Sequence, residues 1–312
     1  MRVTLIATAL AAVIPAFLGV AIAQDTHAFR NSIEGSSIVE PFTLEGRAVG
    51  GSIDRRGYPG MQAYNDASGS EHQSRWNSLS SSGWRLLSLS VSGEVQNPRY
   101  AAVWVKSGGG GMAAIHDASA QQYEDFFNTW AGKGYVATML SVVGPEDSAV
   151  FAGVMEQANV GNWYAQYGLS EDAVTAENEK AQRTGYFPKT IAIYGRGGAD
   201  ARRYAVIYHE NRSNKQWVVH TSDVDWNMEM ASRVMQRAGW YSDYVSGDQD
   251  GTIAAIWVTP SALPPNYEFN GMDTLAEYQG TFNSGTSRGK YPYQVQVSGV
   301  GATTYYWSCW RT

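Results

Sequence analysis

Residues 60–68 read GMQAYNDAS, and residues 111–119 read GMAAIHDAS, 51 positions later. The same step carries Ser119 to Ser170, and near-equal steps reach Ser222 and Thr274. A glycine followed by an aromatic recurs in phase: Gly83-Trp84, Gly134-Tyr135, Gly185-Tyr186 and Gly239-Trp240, continued by Gly289 with Tyr291 slightly displaced. A third landmark is an aromatic or Ile, three residues, then a large residue. It occurs at Tyr100/Trp104, Phe151/Met155, Tyr204/Tyr208, Ile253/Trp257 and Tyr306/Trp310. Three landmarks in one order at one period define a tandem repeat, whose units bury their apolar faces against neighbours. Five units fill residues 61–312.

Each unit reads alike. The recurring Ser or Thr is a helix N-cap, with Glu71, Gln122, Asp225 or Glu277 three residues on and Ala173 the exception. Apolar pairs four apart follow (Tyr123/Phe127, Trp226/Met230, Tyr278/Phe282), and the glycine before the aromatic ends the helix. A β-branched strand comes next, then the aromatic-rich strand. A turn follows, at residues 107–111 or 211–215, and then a third short strand such as residues 217–220. The expected class is α+β: five tandem repeats, each one helix plus three short antiparallel strands. The array starts on a third-strand segment (residues 61–65) and ends on a second-strand segment (residues 306–310). Those terminal strands are free to pair, so a closed or nearly closed ring is expected. The alternative is an open solenoid capped by residues 24–60.

The first 23 residues predict a secretory signal peptide. Arg2 precedes an uncharged apolar stretch that ends in Ala21-Ile22-Ala23, with cleavage between Ala23 and Gln24. No later stretch is long and apolar enough to span a bilayer, so a secreted, extracellular protein without membrane attachment is expected. Composition is globular, with 44% hydrophobic and 17% charged residues. A net charge of −6 and no basic run beyond two residues argue against a nucleic-acid partner. The single cysteine, Cys309, excludes an internal disulfide. Repeat register aligns it with Val103, Val154, Ile207 and Ile256, which predicts a buried, inert thiol in a monomer.

The strings around residues 83–104 and 203–220 resemble the structural repeat of the N-terminal domain of fungal polyglycine hydrolases, to which a bacterial tandem repeat is related. The resemblance covers roughly residues 61–312. It implies a secreted protein whose relatives carry catalysis in a C-terminal domain similar to serine β-lactamases, with no activity assigned to the repeats. This sequence ends where that domain would begin.

Candidate chemistry within the repeats is sparse. Ser287 and Lys290 have Ser-x-x-Lys spacing, but no Tyr-x-Asn, Ser-x-Asn or Lys-Thr-Gly accompanies them, so Ser287 is not expected to act as a nucleophile. The glycines at 108–111 read as a hairpin rather than a phosphate cradle, and Asp248/Asp250/Gly251 as an acidic turn rather than a calcium loop. His116 and His220 end third strands of different units and could share a central metal or acid–base site, although local capping explains them better. Asp66 and Asp117 share one repeat position just before the N-cap, which favours helix-dipole stabilisation over acid–base work. Trp104, Tyr208, Trp257 and Trp310 could line a sugar or peptide face, but their small neighbours favour burial.

No cofactor and no metal site is expected. Asn211 opens an Asn-Arg-Ser sequon expected at an exposed hairpin tip, hence a glycosylation site in a eukaryotic host. The function expected is that of a non-catalytic binding or scaffolding module for an extracellular protein, peptide or glycan. The alternative is a secreted, peptidase-like hydrolase with an unconventional site in the repeats.

Overall fold

A computed structural model describes residues 60–224, 234–259, 261 and 266–312. The expected signal peptide with its Ala23/Gln24 cleavage site, the 24–60 segment except residue 60, and the residues Asp225, Trp226 and Met230, expected in the helix of the fourth unit, lie outside these.

The helix signals act as the sequence predicts. Helices α1 (Gly69–Ser81), α2 (Ala120–Gly132), α3 (Glu171–Arg183) and α4 (Leu275–Ser287) start at Ser68, Ser119, Ser170 and Thr274. Each cap hydroxyl accepts the backbone N–H three residues on, and Glu71, Gln122 and Glu277 return the bond. Ala173 has no side chain to do so, and α3 lacks the reciprocal bond. Gly83, Gly134, Gly185, Gly239 and Gly289 follow the helices with φ between 76° and 83°, the left-handed turn that glycine adopts without a Cβ penalty.

Five separate three-stranded antiparallel sheets follow from five repeats of strand–helix–strand–strand. The first unit holds β1 (Met61–Ala67), β2 (Trp84–Glu94) and β3 (Asn97–Lys106), paired β1-β3-β2. The second holds β4 (Met112–Ala118), β5 (Val136–Val143) and β6 (Val150–Glu156), and the third β7 (Trp163–Leu169), β8 (Tyr186–Tyr194) and β9 (Arg203–Glu210). The fourth holds β10 (Trp217–Val224), β11 (Tyr241–Gly247) and β12 (Thr252–Val258). The fifth holds β13 (Glu268–Asp273), β14 (Tyr291–Ser298) and β15 (Tyr305–Arg311). In every sheet the aromatic-rich strand is central, and the strand after the helix is an edge.

Two expectations about connection are corrected. The segments at 107–111 and 211–216 do not turn a hairpin: β3 and β4, like β9 and β10, belong to different sheets, so these segments link units. The terminal strands do not pair either. Met61 lies opposite Val105 of β3, and Cys309 of β15 lies between Phe269 and Gln294 of its own sheet. Each third strand crosses to the next sheet, so the first unit is complete without its far terminus.

Each central strand buries both faces, which is why it reads as an unbroken apolar run. Tyr100, Ala102 and Trp104 pack under α1 with Trp76, while Ala101 and Val103 point away. Ala152 and Val154 of β6 join the core of the first unit, Ala205 and Ile207 of β9 that of the second, and Ala254 and Ile256 of β12 that of the third. Trp307 of β15 joins the core of the fourth. Ala101 and Val103 pack with Tyr278, Val295 and Trp310 of the fifth unit, and β14 lies against β2.

Candidate functional site

The strand after each helix carries one β-bulge, always at the same repeat position. The register slips at Leu87 in β2, Thr138 in β5, Lys189 in β8, Asp243 in β11 and Tyr293 in β14. A bulge places two residues opposite one and re-aims a side chain. All five bulge residues line one cavity of about 280 Å³, to which every unit contributes. The neighbouring central-strand position, by contrast, holds Val103, Val154, Ile207, Ile256 and Cys309, all buried and nearly uniform in size. Five different chemistries at the bulge and near-uniformity beside it separate the wall of a site from the scaffold behind it.

The cavity lining mixes polar and apolar groups and is asymmetric. Arg85 and Glu156 form an ion pair at its rim (Nη2 to Oε2, 3.1 Å), and Arg85 Nη1 also donates to Gly110 O at 2.6 Å. Tyr293 OH donates to Asp243 Oδ1 at 3.3 Å. The Lys189 side chain is exposed into the cavity. The crowding of protein around it lowers its proton affinity below the ordinary lysine range, and the field of Asp243 opposes the shift. Thr190 lines the same wall, and its buried hydroxyl has no hydrogen-bond partner among the described residues. A larger groove of about 460 Å³ lies between the first and fifth units, where Asp66 and Arg99 already pair with each other at 3.7 Å.

Little in the sequence announces this cavity. The available signal was a charge inside an otherwise apolar strand, Lys189 before Thr190-Ile191 and Asp243 before Tyr244-Val245, at one repeat position.

The histidines do not share a site. His116 Nδ1 bonds Asp117 Oδ2 at 2.8 Å, its Nε2 meets Gln73 Oε1 at 2.9 Å, and its ring lies edge-on to His72, which stacks on Tyr100. His220 packs on Trp257 in the fourth unit. The His116–Asp117 pair has acid–base parts, but His116 is 1% exposed and Gln73 occupies the nitrogen a substrate would need. Burial opposes the Asp117 carboxylate, yet bonds from His116 and Tyr100 outweigh it and hold Asp117 below its ordinary range. Asp117 faces Gly69, the first residue of α1, so it serves the helix of the preceding unit rather than its own. Asp66 and Asp117 both adopt positive φ, 50° and 52°.

Other candidates resolve as structure. Ser287 ends α4 and donates to Ser284 O, while Lys290 is held by Glu268. Residues 285–289 also read Gly-Thr-Ser-Arg-Gly, the spacing of a nucleophile elbow. An elbow needs a strand-to-helix turn, and Ser287 sits at the opposite end of a helix. Asp248 accepts the Asp250 and Thr252 amides and pairs with Arg202, an acidic turn closing β11 to β12. The aromatic positions Trp104, Tyr208, Trp257 and Trp310 are fully buried. Gly109 and Gly110 press against Arg85 and Gln157 in a tight linker. Cys309 is a buried free thiol that faces Ser242 O and Gln294 Oε1, a more polar setting than its aliphatic equivalents implied. Among the described residues, no three or more His, Cys, Asp or Glu side chains are grouped to hold a metal ion.

Strand–helix–strand–strand units, each with a bulge in the strand after its helix, define a tandem-repeat scaffold. The family model described as the polyglycine hydrolase-like structural repeat matches residues 59–107, 109–158 and 160–211 as three consecutive copies. The fourth and fifth sheets keep the same strand order and bulge position.

Proposed function

We propose that this protein is a secreted, non-catalytic binding or scaffolding module whose five units close a ring, with the shared cavity at its centre as the site for an extracellular protein, peptide or glycan. Ring closure is supported by the packing of Ala101 and Val103 with the fifth unit, which repeats the way each other unit packs on the one before it. Secretion rests on the apolar N-terminal stretch and the Ala23/Gln24 cleavage pattern. The observation that carries the binding role is the convergence of five unlike bulge residues on one cavity. Among the described residues, the one His–Asp pair within hydrogen-bond distance is sealed by Gln73, which disfavours that pair as a hydrolytic centre. The test is to incubate purified protein with extracellular peptides and polysaccharides and score retention and cleavage together. Retention that Leu87→Trp abolishes by filling the cavity supports the proposal. Turnover, or retention indifferent to that substitution, overturns it.

A further inference from the structure

Lys189 and Asp243 are opposite charges in the wall of one cavity, on adjacent units, yet they do not form an ion pair within 4.0 Å among the described residues. Lys189 makes no hydrogen bond there, and the one bond to Asp243 comes from Tyr293 OH at Oδ1. Much of the polar lining is occupied: Gln294 donates to Val245 O and accepts from Cys309, Thr138 donates to Val154 O, Ser88 bonds Val295, and Arg85 is neutralised by Glu156. The charged groups with unused capacity are the Lys189 ammonium and the second oxygen of Asp243, and the Thr190 hydroxyl beside Lys189 is unpartnered.

We propose that the cavity binds a small zwitterion, a free α-amino acid or a dipeptide, with its carboxylate on Lys189 Nζ and Thr190 Oγ1 and its ammonium on Asp243. The inference rests on the reading of the cavity as a ligand site. Charge decides the class. A bare anion meets Asp243 and Glu156, and a bare cation meets Lys189 with the fields of Lys215 and Arg311 behind it. A zwitterion brings no net charge into the cavity and gives each of the two wall charges an opposite partner, which a singly charged ligand cannot do. Size decides the rest: about 280 Å³ lies at the small end of ligand cavities, which run from roughly 300 Å³ upward.

Titration calorimetry at neutral pH with alanine, alanylalanine, propionate and propylammonium separates the possibilities. The expected result is binding of alanine or alanylalanine at least tenfold tighter than either single-charge probe. Lys189→Met and Asp243→Asn should each weaken it tenfold or more, with unfolding midpoints showing that both variants are folded. Propionate binding as tightly as alanine and lost in Lys189→Met overturns the zwitterion while leaving the cavity as a ligand site. Binding of no probe also overturns it, and the retention assay with Leu87→Trp then decides the cavity on its own.

Discussion

The backbone N–H of Val297 in the fifth unit donates to Ser90 Oγ in the first, at 3.1 Å and across 207 residues of sequence. The same bond joins Val91 to Ser141 between the first and second units at 3.0 Å, and Ile193 to Ser246 between the third and fourth at 3.2 Å. Strands β2, β5, β8, β11 and β14 are all sheet edges, whose outward N–H groups need partners. A serine on the next unit supplies one at two junctions between consecutive units, and the junction between last and first unit uses the same device. Ser88 adds a reciprocal pair there, accepting Val295 N–H at 2.9 Å and donating to Val295 O at 3.0 Å.

Ser90→Ala should destabilise the protein by about 1–3 kcal/mol, because it strands a buried N–H. Ser141→Ala and Ser246→Ala should cost similar amounts. Urea unfolding of the three variants checks this; a negligible effect for Ser90 alone would mean that the terminal junction carries no load.

Acid should weaken the fold. Burial holds the His72 imidazole down to about 3 and that of His209 to about 4. The unfolded chain takes up those protons below about pH 6.5, so the contribution of both histidines is complete above that and is lost as pH falls toward these values. Asp248 acts the other way: burial raises its carboxyl to about 6, so its contribution is present at low pH and lost as pH rises through 6. Two protons oppose one, and stability declines from pH 7 to 5. Replacing His209 by Gln, which keeps a donor for Ala137 O, should remove roughly 2 kcal/mol of that decline. Chemical unfolding at both pH values reads it, and an unaltered slope in the variant contradicts it.

Cys309 should resist thiol reagents until the protein unfolds, since burial pushes its thiol well above the ordinary range. Cys309→Val is expected to cost under about 1.5 kcal/mol. Cys309→Asp, which adds an unpaired buried charge, should cost more than about 3 kcal/mol. Rapid labelling of native protein contradicts this placement.

Asn211, proposed as a glycan acceptor, bridges its linker: Nδ2 donates to Lys215 O and Oδ1 accepts Lys215 N–H, both at 2.8 Å. Glycosylation leaves one hydrogen on that nitrogen, so the bridge to Lys215 O can persist. Protein from a eukaryotic host should lose mass on glycosidase treatment, and Ser213→Ala should remove the difference. An unchanged mass contradicts the proposal.

Periodicity made the scaffold legible before any coordinates. Ser68, Ser119, Ser170 and Thr274 cap helices because a cap is a local event, complete within four residues. Cys309 took its buried place because aliphatics fill its position in the other four units. Connections between units were not legible. Nothing in Gly108–Gly111 or Asn211–Lys215 says whether the next strand turns back or crosses to another sheet. The cavity was hidden for the same reason: Lys189 and Asp243 stand 54 residues apart in sequence, and only the register slip of each strand turns them to a common space.

Hydrogen exchange at the Val297 amide tests the closed arrangement around the cavity most directly. A closed ring predicts that this N–H exchanges as slowly as those of Val91 and Ile193, and that Ser90→Ala selectively releases it. Fast exchange at Val297 in the unmodified protein, insensitive to residue 90, would mark β14 as a free edge and contradict the ring.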